Sequence, residues 1–146
     1  MKSSPLELES YMFTRVHVDA CDDPACQEVE GAGQIEVKTH YQQHNEDSSR
    51  WMVSVCLVVA QQDGEPCPPY SLDVEAVGFF HVADEFPEEK KTPMLRANAP
   101  AVLFGSIREM VANITARGPY PRLDLPTVTF VDAAHPKDEN AGEEKR

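Results

Sequence analysis

The first half of the chain alternates apolar and polar positions in four separate stretches. A repeat of two residues is typical of a strand with one buried face and one exposed face. The stretches cover residues 12–19, 34–41, 51–60 and 70–77. The third stretch is apolar on both faces, so we expect it to lie centrally in a sheet and to be covered on both sides. The connections are short, which predicts an antiparallel meander.

A second pattern follows the strands, with apolar positions that repeat every three or four residues. These positions form one stripe along a predicted helix and comprise Leu103, Ile107, Met110, Val111 and Ile114. We predict that the helix begins at Asn98, whose side chain caps it, with Pro100 in the first turn. Gly118 marks its end. The stripe is expected to be buried, either in the core of one subunit or between subunits.

Four strands followed by one amphipathic helix predict an α+β domain, in which the long helix packs against a four-stranded antiparallel sheet. We expect residues 1–11 to be a flexible N-terminus and residues 12–131 to form the domain. Residues 132–146 are expected to be a disordered acidic and polar tail, because they have almost nothing to bury. Gly78 interrupts the last strand pattern and predicts a bulge or bend.

The helix and the extended segment after it carry a specific series of short motifs. The series is a proline-started helix with Leu-Phe and Arg-Glu pairs, then Arg-Gly, aromatic-Pro, two spaced leucines, a proline and Val-x-Phe. In this chain the residues are Pro100, Leu103, Phe104, Arg108, Glu109, Arg117, Gly118, Tyr120, Pro121, Leu123, Leu125, Pro126, Val128 and Phe130. In motifs and spacing, the segment resembles the SecB family of bacterial protein-export chaperones. The resemblance extends more loosely upstream to about Phe13.

This resemblance implies a cytoplasmic chaperone that uses no cofactor and no ATP. Such a protein holds unfolded preproteins in apolar grooves and forms a homotetramer, as a dimer of dimers. Carried over by position, the client-binding groove consists of Ile35, Val37, Thr39, Tyr41 and Phe130. An ordinary core produces the same pattern, and in that alternative Phe130 caps the packing of helix on sheet.

The resemblance also implies a surface that docks the translocase motor SecA, with Asp19, Asp73 and Glu75 as its acids. Two positions depart from the family, because Arg15 stands in place of an acid and Ser71 in place of an apolar residue. The family's second helix also has little counterpart after Phe130. A chaperone dedicated to one client, for example an antitoxin, and not coupled to SecA is therefore an alternative. A structural oligomer without chaperone activity is another.

Composition excludes several partner classes. The chain has 146 residues with 25 acidic and 13 basic side chains, a net charge of −12, which argues against a nucleic-acid backbone or an anionic membrane as main partner. Its length is typical of one domain. No apolar run approaches the 18 residues of a membrane span, and the N-terminus lacks the apolar region of a secretion signal. We therefore expect a cytoplasmic protein that does not insert into membranes.

Four cysteines occur, at positions 21, 26, 56 and 67, and no two of them form the Cys-x-x-Cys pair of zinc sites. A metal site built from Cys21, Cys26, His17 and Asp19 is a weaker alternative. Free thiols in a reducing compartment are the favoured interpretation, with no metal.

Catalytic chemistry has little support in the sequence. His40 and His44 are four residues apart in a strand and turn, where they do not share a helix face as zinc ligands do. Ser54 and Ser106 lack the glycines of a nucleophile elbow. No acid, base and nucleophile converge in the pattern, so we expect that the protein is not an enzyme.

Overall fold

The computed structural model of the chain describes residues 1–23, 25–26 and 33–131. Four strands precede one helix in the described residues: β1 (Leu6–Ala20), β2 (Ile35–Gln43), β3 (Arg50–Val59), β4 (Tyr70–Val82) and α1 (Glu88–Thr115). The strands form one antiparallel sheet, and α1 packs on its inner face; the opposite face is called the outer face. The predicted α+β class is thus confirmed. The tail at 132–146 lies outside the described residues.

The strand order corrects the predicted meander. The sheet runs β1-β4-β3-β2, so only the last three strands form a meander, and β1 pairs with β4 instead of β2. Between β1 and β2 the chain therefore passes from one edge of the sheet to the other. This is the Greek-key arrangement of four antiparallel strands. Alternation reveals the two faces of a strand but not its neighbour, and for that reason the sequence did not predict the order.

β1 is also longer than its predicted stretch. Residues 6–11, expected to belong to a flexible N-terminus, pair with β4, with Leu6 opposite Val82 and Leu8 opposite Phe80. Two register shifts, one after Leu8 and one after Phe13, interrupt the pairing. Each inserts an extra residue into β1 and thereby interrupts the alternation of apolar and polar positions from which a strand is predicted.

The core lies between α1 and the inner face of the sheet. The predicted helix residues Leu103, Ile107 and Val111 are fully buried in it, whereas Ile114 is half-buried. They pack against inner-face side chains of β3 and β4, including Val53, Val55, Leu57, Leu72, Val74 and Ala76. On its outer face, β3 is half-buried in the described part of the chain, so within one subunit only the inner face is fully covered.

Gly78 lies inside β4 and does not end it. A side chain at this position would come within 2.8 Å of Phe80 and 2.9 Å of Leu103. The glycine therefore makes room for α1 to pack closely on the sheet. The neighbouring Phe80 is buried in the core, and Phe79 on the outer face is 36% exposed.

α1 begins ten residues before its predicted start at Asn98. Its first turn contains Glu88 and Glu89, which lie at the positive end of the helix dipole. Asn98 is therefore not a cap, and its Nδ2 donates to the Met94 carbonyl 2.8 Å away. Pro93 and Pro100 both lie inside the helix.

An exit segment, residues 121–130, runs back along α1 towards the start of the helix. The buried hydroxyl of Thr115 accepts a hydrogen bond of 2.9 Å from the Leu123 amide. About two turns earlier on the helix, Arg108 Nε donates to the Leu125 carbonyl at 3.0 Å. These bonds hold an extended segment, which pairs with no strand among the described residues, against the helix.

Candidate functional site

The four strand residues of the predicted groove lie in one row on the inner face of β2. Ile35, Val37, Thr39 and Tyr41 stand opposite Val59, Leu57, Val55 and Val53 of β3. The β3 residues are at most 1% exposed, whereas the β2 row is half-buried. The cause is position: β2 is at the edge of the sheet, and α1 packs chiefly over β1, β3 and β4. Apolar strand surface thus extends beyond the helix.

Tyr41 and Arg96 close one end of this row. The hydroxyl of Tyr41 lies 3.4 Å from the Arg96 carbonyl, to which it donates. That carbonyl lacks a helical partner because the residue four positions later is Pro100, which has no N–H. The Arg96 guanidinium lies over the Tyr41 ring, 5.0 Å from its centroid.

Arg96 was not identified from the sequence. Pro100, four residues later, nevertheless indicates that the Arg96 carbonyl has no helical hydrogen-bond donor. Arg96 Nε is buried and has no hydrogen-bond acceptor among the described residues. A buried donor without an acceptor is costly. The atom lies close to the end of the half-buried row that Tyr41 occupies.

Phe130 is buried, unlike the half-buried row on β2. It is 7% exposed, and its ring meets that of Phe104 edge to face, with centroids 6.1 Å apart. The structure therefore brings the four strand residues together and places Phe130 in the core, at the end of the exit segment. Its position matches the alternative in which it caps the packing of helix on sheet.

The three predicted docking acids lie together on the outer face, and each has a partner nearby. Asp73 Oδ1 lies 2.8 Å from Arg15 Nε. Glu75 accepts a 2.6 Å hydrogen bond from the hydroxyl of Thr14, the extra residue of a register shift. Asp19 lies 2.6 Å from His17. The hydrogen bond with Asp73 raises the pKa of Arg15, and the positive charge of this guanidinium offsets part of the negative field of the acids.

A cleft on the outer face was not predicted. Its volume is about 700 Å³, and it lies between the start of β1 and the β2–β3 hairpin. The apolar outer-face residues Met52 and Phe79 line it together with polar residues such as Glu9 and Gln42. In the sequence, Phe79 could have indicated this cleft, because it is a large apolar residue at a position of β4 that faces outward in the alternating pattern.

The proposed metal ligands do not assemble in the described residues. No group of three His, Cys, Asp or Glu side chains there has an arrangement that holds a metal ion. His17 pairs with Asp19, and the Cys21 sulfur faces that of Cys67. In the same part of the chain, no helix has the length and apolar character needed to cross a membrane.

Comparisons with known proteins agree with this architecture. The chain is similar over 62 residues to the protein-export protein SecB of Roseobacter denitrificans, at 36% identity, and to that of Cereibacter sphaeroides, at 32%. Each match covers 42% of this chain and only 37% of the relative.

Solved structures share the fold. One is the SecB-like chaperone Rv1957 of Mycobacterium tuberculosis in complex with a ChAD peptide from the Rv1956 HigA1 antitoxin, with a TM-score of 0.62 and 19% identity. The match covers 84% of this chain and 90% of that one. A protein of unknown function from Streptococcus agalactiae matches with a TM-score of 0.50 and 16% identity, over 85% and 94% of the two chains.

The widest match is to a family model. The model of the preprotein translocase subunit SecB aligns with residues 6–139, which include every strand, the helix and the exit segment. The alignment confirms the resemblance that the motifs between Pro100 and Phe130 indicate. This chain belongs to the SecB family.

Proposed function

We propose that this protein is a cytoplasmic chaperone that holds unfolded polypeptides, including precursors for export, without ATP. The observation that carries the proposal is the half-buried apolar row on β2. An edge strand offers unpaired backbone groups, and an extended client can add to it as a further strand. Its side chains then contact the row from Ile35 to Tyr41. Family membership supports the same role.

The energetics suit a binder of low selectivity. A client that buries about 1,000 Å² of apolar surface gains on the order of 25 kcal/mol, most of which ordering the client offsets. Many replaceable contacts share the remainder, so no single client residue is decisive. The net charge of −12 keeps such a protein soluble while apolar surface is exposed.

Suppression of the aggregation of a reduced, unfolded model protein tests the proposal. Wild type at stoichiometric ratio should lower light scattering, and Val37→Asp with Tyr41→Asp should abolish much of this effect, because charges repel apolar segments from the row. The matched control is His40→Asp with Gln42→Asp. It adds the same two charges to the same strand, on its outer face.

The outcomes distinguish three readings. Retained activity in the control supports the inner row as client surface. Loss in the control alone moves the client to the outer cleft, which Gln42 lines. Scattering unchanged by wild type leaves the structural oligomer as the surviving hypothesis. Native mass spectrometry then tests the expected homotetramer, a dimer of dimers.

A second candidate is a chaperone dedicated to one client and not coupled to SecA. The ion pair between Arg15 and Asp73 favours it, because a positive charge stands opposite Glu75 on the proposed docking face. The fold that this chain shares with an antitoxin-binding SecB-like chaperone is consistent with it. We expect weak binding of wild type to SecA in calorimetry and stronger binding of Arg15→Glu. Tight wild-type binding would favour the export role.

A further inference from the structure

Two thiols that are far apart in sequence face each other beside the end of β1. Cys21 directly follows this strand, and its amide donates to the Pro69 carbonyl at 2.9 Å. Cys67 is two residues before that carbonyl, and its neighbours are Pro66 and Pro68, whose rings restrict the backbone. The two sulfur atoms are 2.6 Å apart. Backbone pairing and prolines thus hold the thiols at a separation that needs little movement to form a bond.

The surroundings single out this pair among the four cysteines. Cys21 and Cys67 are partly exposed, so a small reagent can reach them, whereas Cys26 is 1% exposed. Cys26 also contacts Tyr120, and together with burial this contact raises the pKa of the Tyr120 hydroxyl to about 12. Cys56 lies on the outer face of β3, where Arg15 Nη2 donates to its sulfur over 3.2 Å. A metal is a weaker explanation, since no three ligands converge in the described residues.

We propose that Cys21 and Cys67 form a reversible disulfide, which makes this corner a redox modification site for low-molecular-weight disulfides such as oxidised glutathione. The thiolate of one cysteine attacks oxidised glutathione and releases one reduced glutathione. The second thiolate attacks the protein sulfur of that mixed disulfide and releases the other. Two protein thiols are oxidised and one glutathione disulfide is reduced, and the two protons that the protein thiols lose are taken up by the two departing glutathione thiolates. Transient disulfides of this kind act as redox sensors in reducing compartments.

The disulfide would restrain three parts of the fold: the end of β1, the β3–β4 connection and the start of the exit segment. It closes a loop between residues 46 positions apart and joins the end of β1 to the β3–β4 connection. The Tyr120 hydroxyl donates to the Cys21 carbonyl, and the Tyr120 amide donates to the Tyr70 hydroxyl at 3.1 Å. Because Tyr120 directly precedes the exit segment, the disulfide also stiffens the start of that segment. Cross-links that close loops of this length stabilise mainly by restricting the unfolded chain.

Full-length protein, reduced and then equilibrated with oxidised glutathione, tests the proposal. We expect wild type to lose two of its four free thiols and to yield, in a non-reducing digest, a 21–67 cross-linked peptide pair. Its melting temperature should rise by about 10 °C. Dithiothreitol should reverse both changes. Cys56→Ser should behave as wild type, whereas Cys67→Ser should retain the reduced melting temperature under oxidation.

Other results overturn the proposal. Four titratable thiols in oxidised wild type, a 21–26 bond, or a cross-link only between chains would each do so. Stoichiometric zinc that protects the thiols from oxidation would assign the corner to a metal instead. The digest of wild type gives the answer even where a cysteine variant folds poorly.

Discussion

Two neighbouring rows on the inner face of the sheet contain similar residues and differ in cover. The row on β3, which includes Val55, is at most 1% exposed, whereas the row on β2, which includes Val37, is half-buried. The β2 row alternates with polar residues, whereas the β3 row also alternates with apolar ones such as Met52 and Val58. β3 has a strand on each side and α1 above it, and β2 is an edge strand. Alternation therefore identifies the apolar face of a strand, and the third layer decides whether that face is closed.

The same substitution in each row should give the largest contrast. Val55→Asp places an unpaired charge in a fully buried site, which should lower the free energy of unfolding by at least about 4 kcal/mol. This is a large part of the stability of a typical domain. Val37→Asp should cost about 1 kcal/mol, because a half-buried carboxylate can turn to water. Urea denaturation followed by circular dichroism measures both. Equal destabilisation by the two variants would make the β2 row part of the core.

The contrast also explains what the sequence could predict. Leu103, Ile107 and Val111 were placed correctly because their helical period directly reflects a buried stripe. The start of α1 was wrong because Pro100 looks like a first-turn residue. Packing of Leu95 and Ala99 in the core carries the helix through that proline.

Long-range contacts are the second reason for the misses. Nothing near Phe130 in sequence indicates that Phe104 covers it, and nothing near Cys21 indicates Cys67. The pairing of β1 with β4 is of the same kind. The apolar row on β2 could be predicted from the sequence because one strand contains all of it. For Arg96, Pro100 indicates the free carbonyl, but the contact with Tyr41 of another element cannot be read from the sequence.

A double-mutant cycle tests whether the Tyr41 hydroxyl, at the end of the β2 row, compensates for the amide that Pro100 lacks. We expect an effect of intermediate size. Tyr41→Phe removes the hydroxyl that donates to the Arg96 carbonyl and should cost about 0.5–1.5 kcal/mol. In a Pro100→Ala background the alanine amide can donate to that carbonyl, as in any helix, so the same change should cost clearly less. Free energies of unfolding from urea titrations of the four proteins give the coupling energy between positions 41 and 100. Equal costs in both backgrounds would show that the hydroxyl does not compensate for the proline.

The smallest effect is expected in the hairpin that joins the edge strand to the core strand. Asp47 accepts hydrogen bonds from the hydroxyl and the amide of Ser49, and its Oδ2 lies 3.2 Å from Arg50 Nε. The Ser49 hydroxyl is the main cause of a pKa of Asp47 below its ordinary value of 3.8. A lowered pKa means that the ionised form stabilises the fold. This contribution is complete above the ordinary pKa and is lost as the pH falls through the folded value.

Asp47→Asn keeps the shape of the side chain and removes its charge. We expect a melting temperature about 1–3 °C below wild type at pH 6, and a difference that vanishes as the pH falls from about 4 towards 2. Ser49→Ala should show the same pH dependence, because it removes the bond that most favours the carboxylate. A difference that stays constant over this range would assign the effect to hairpin geometry instead of charge. In that case the hairpin would fix the register between the half-open row and the closed row without any help from ionisation.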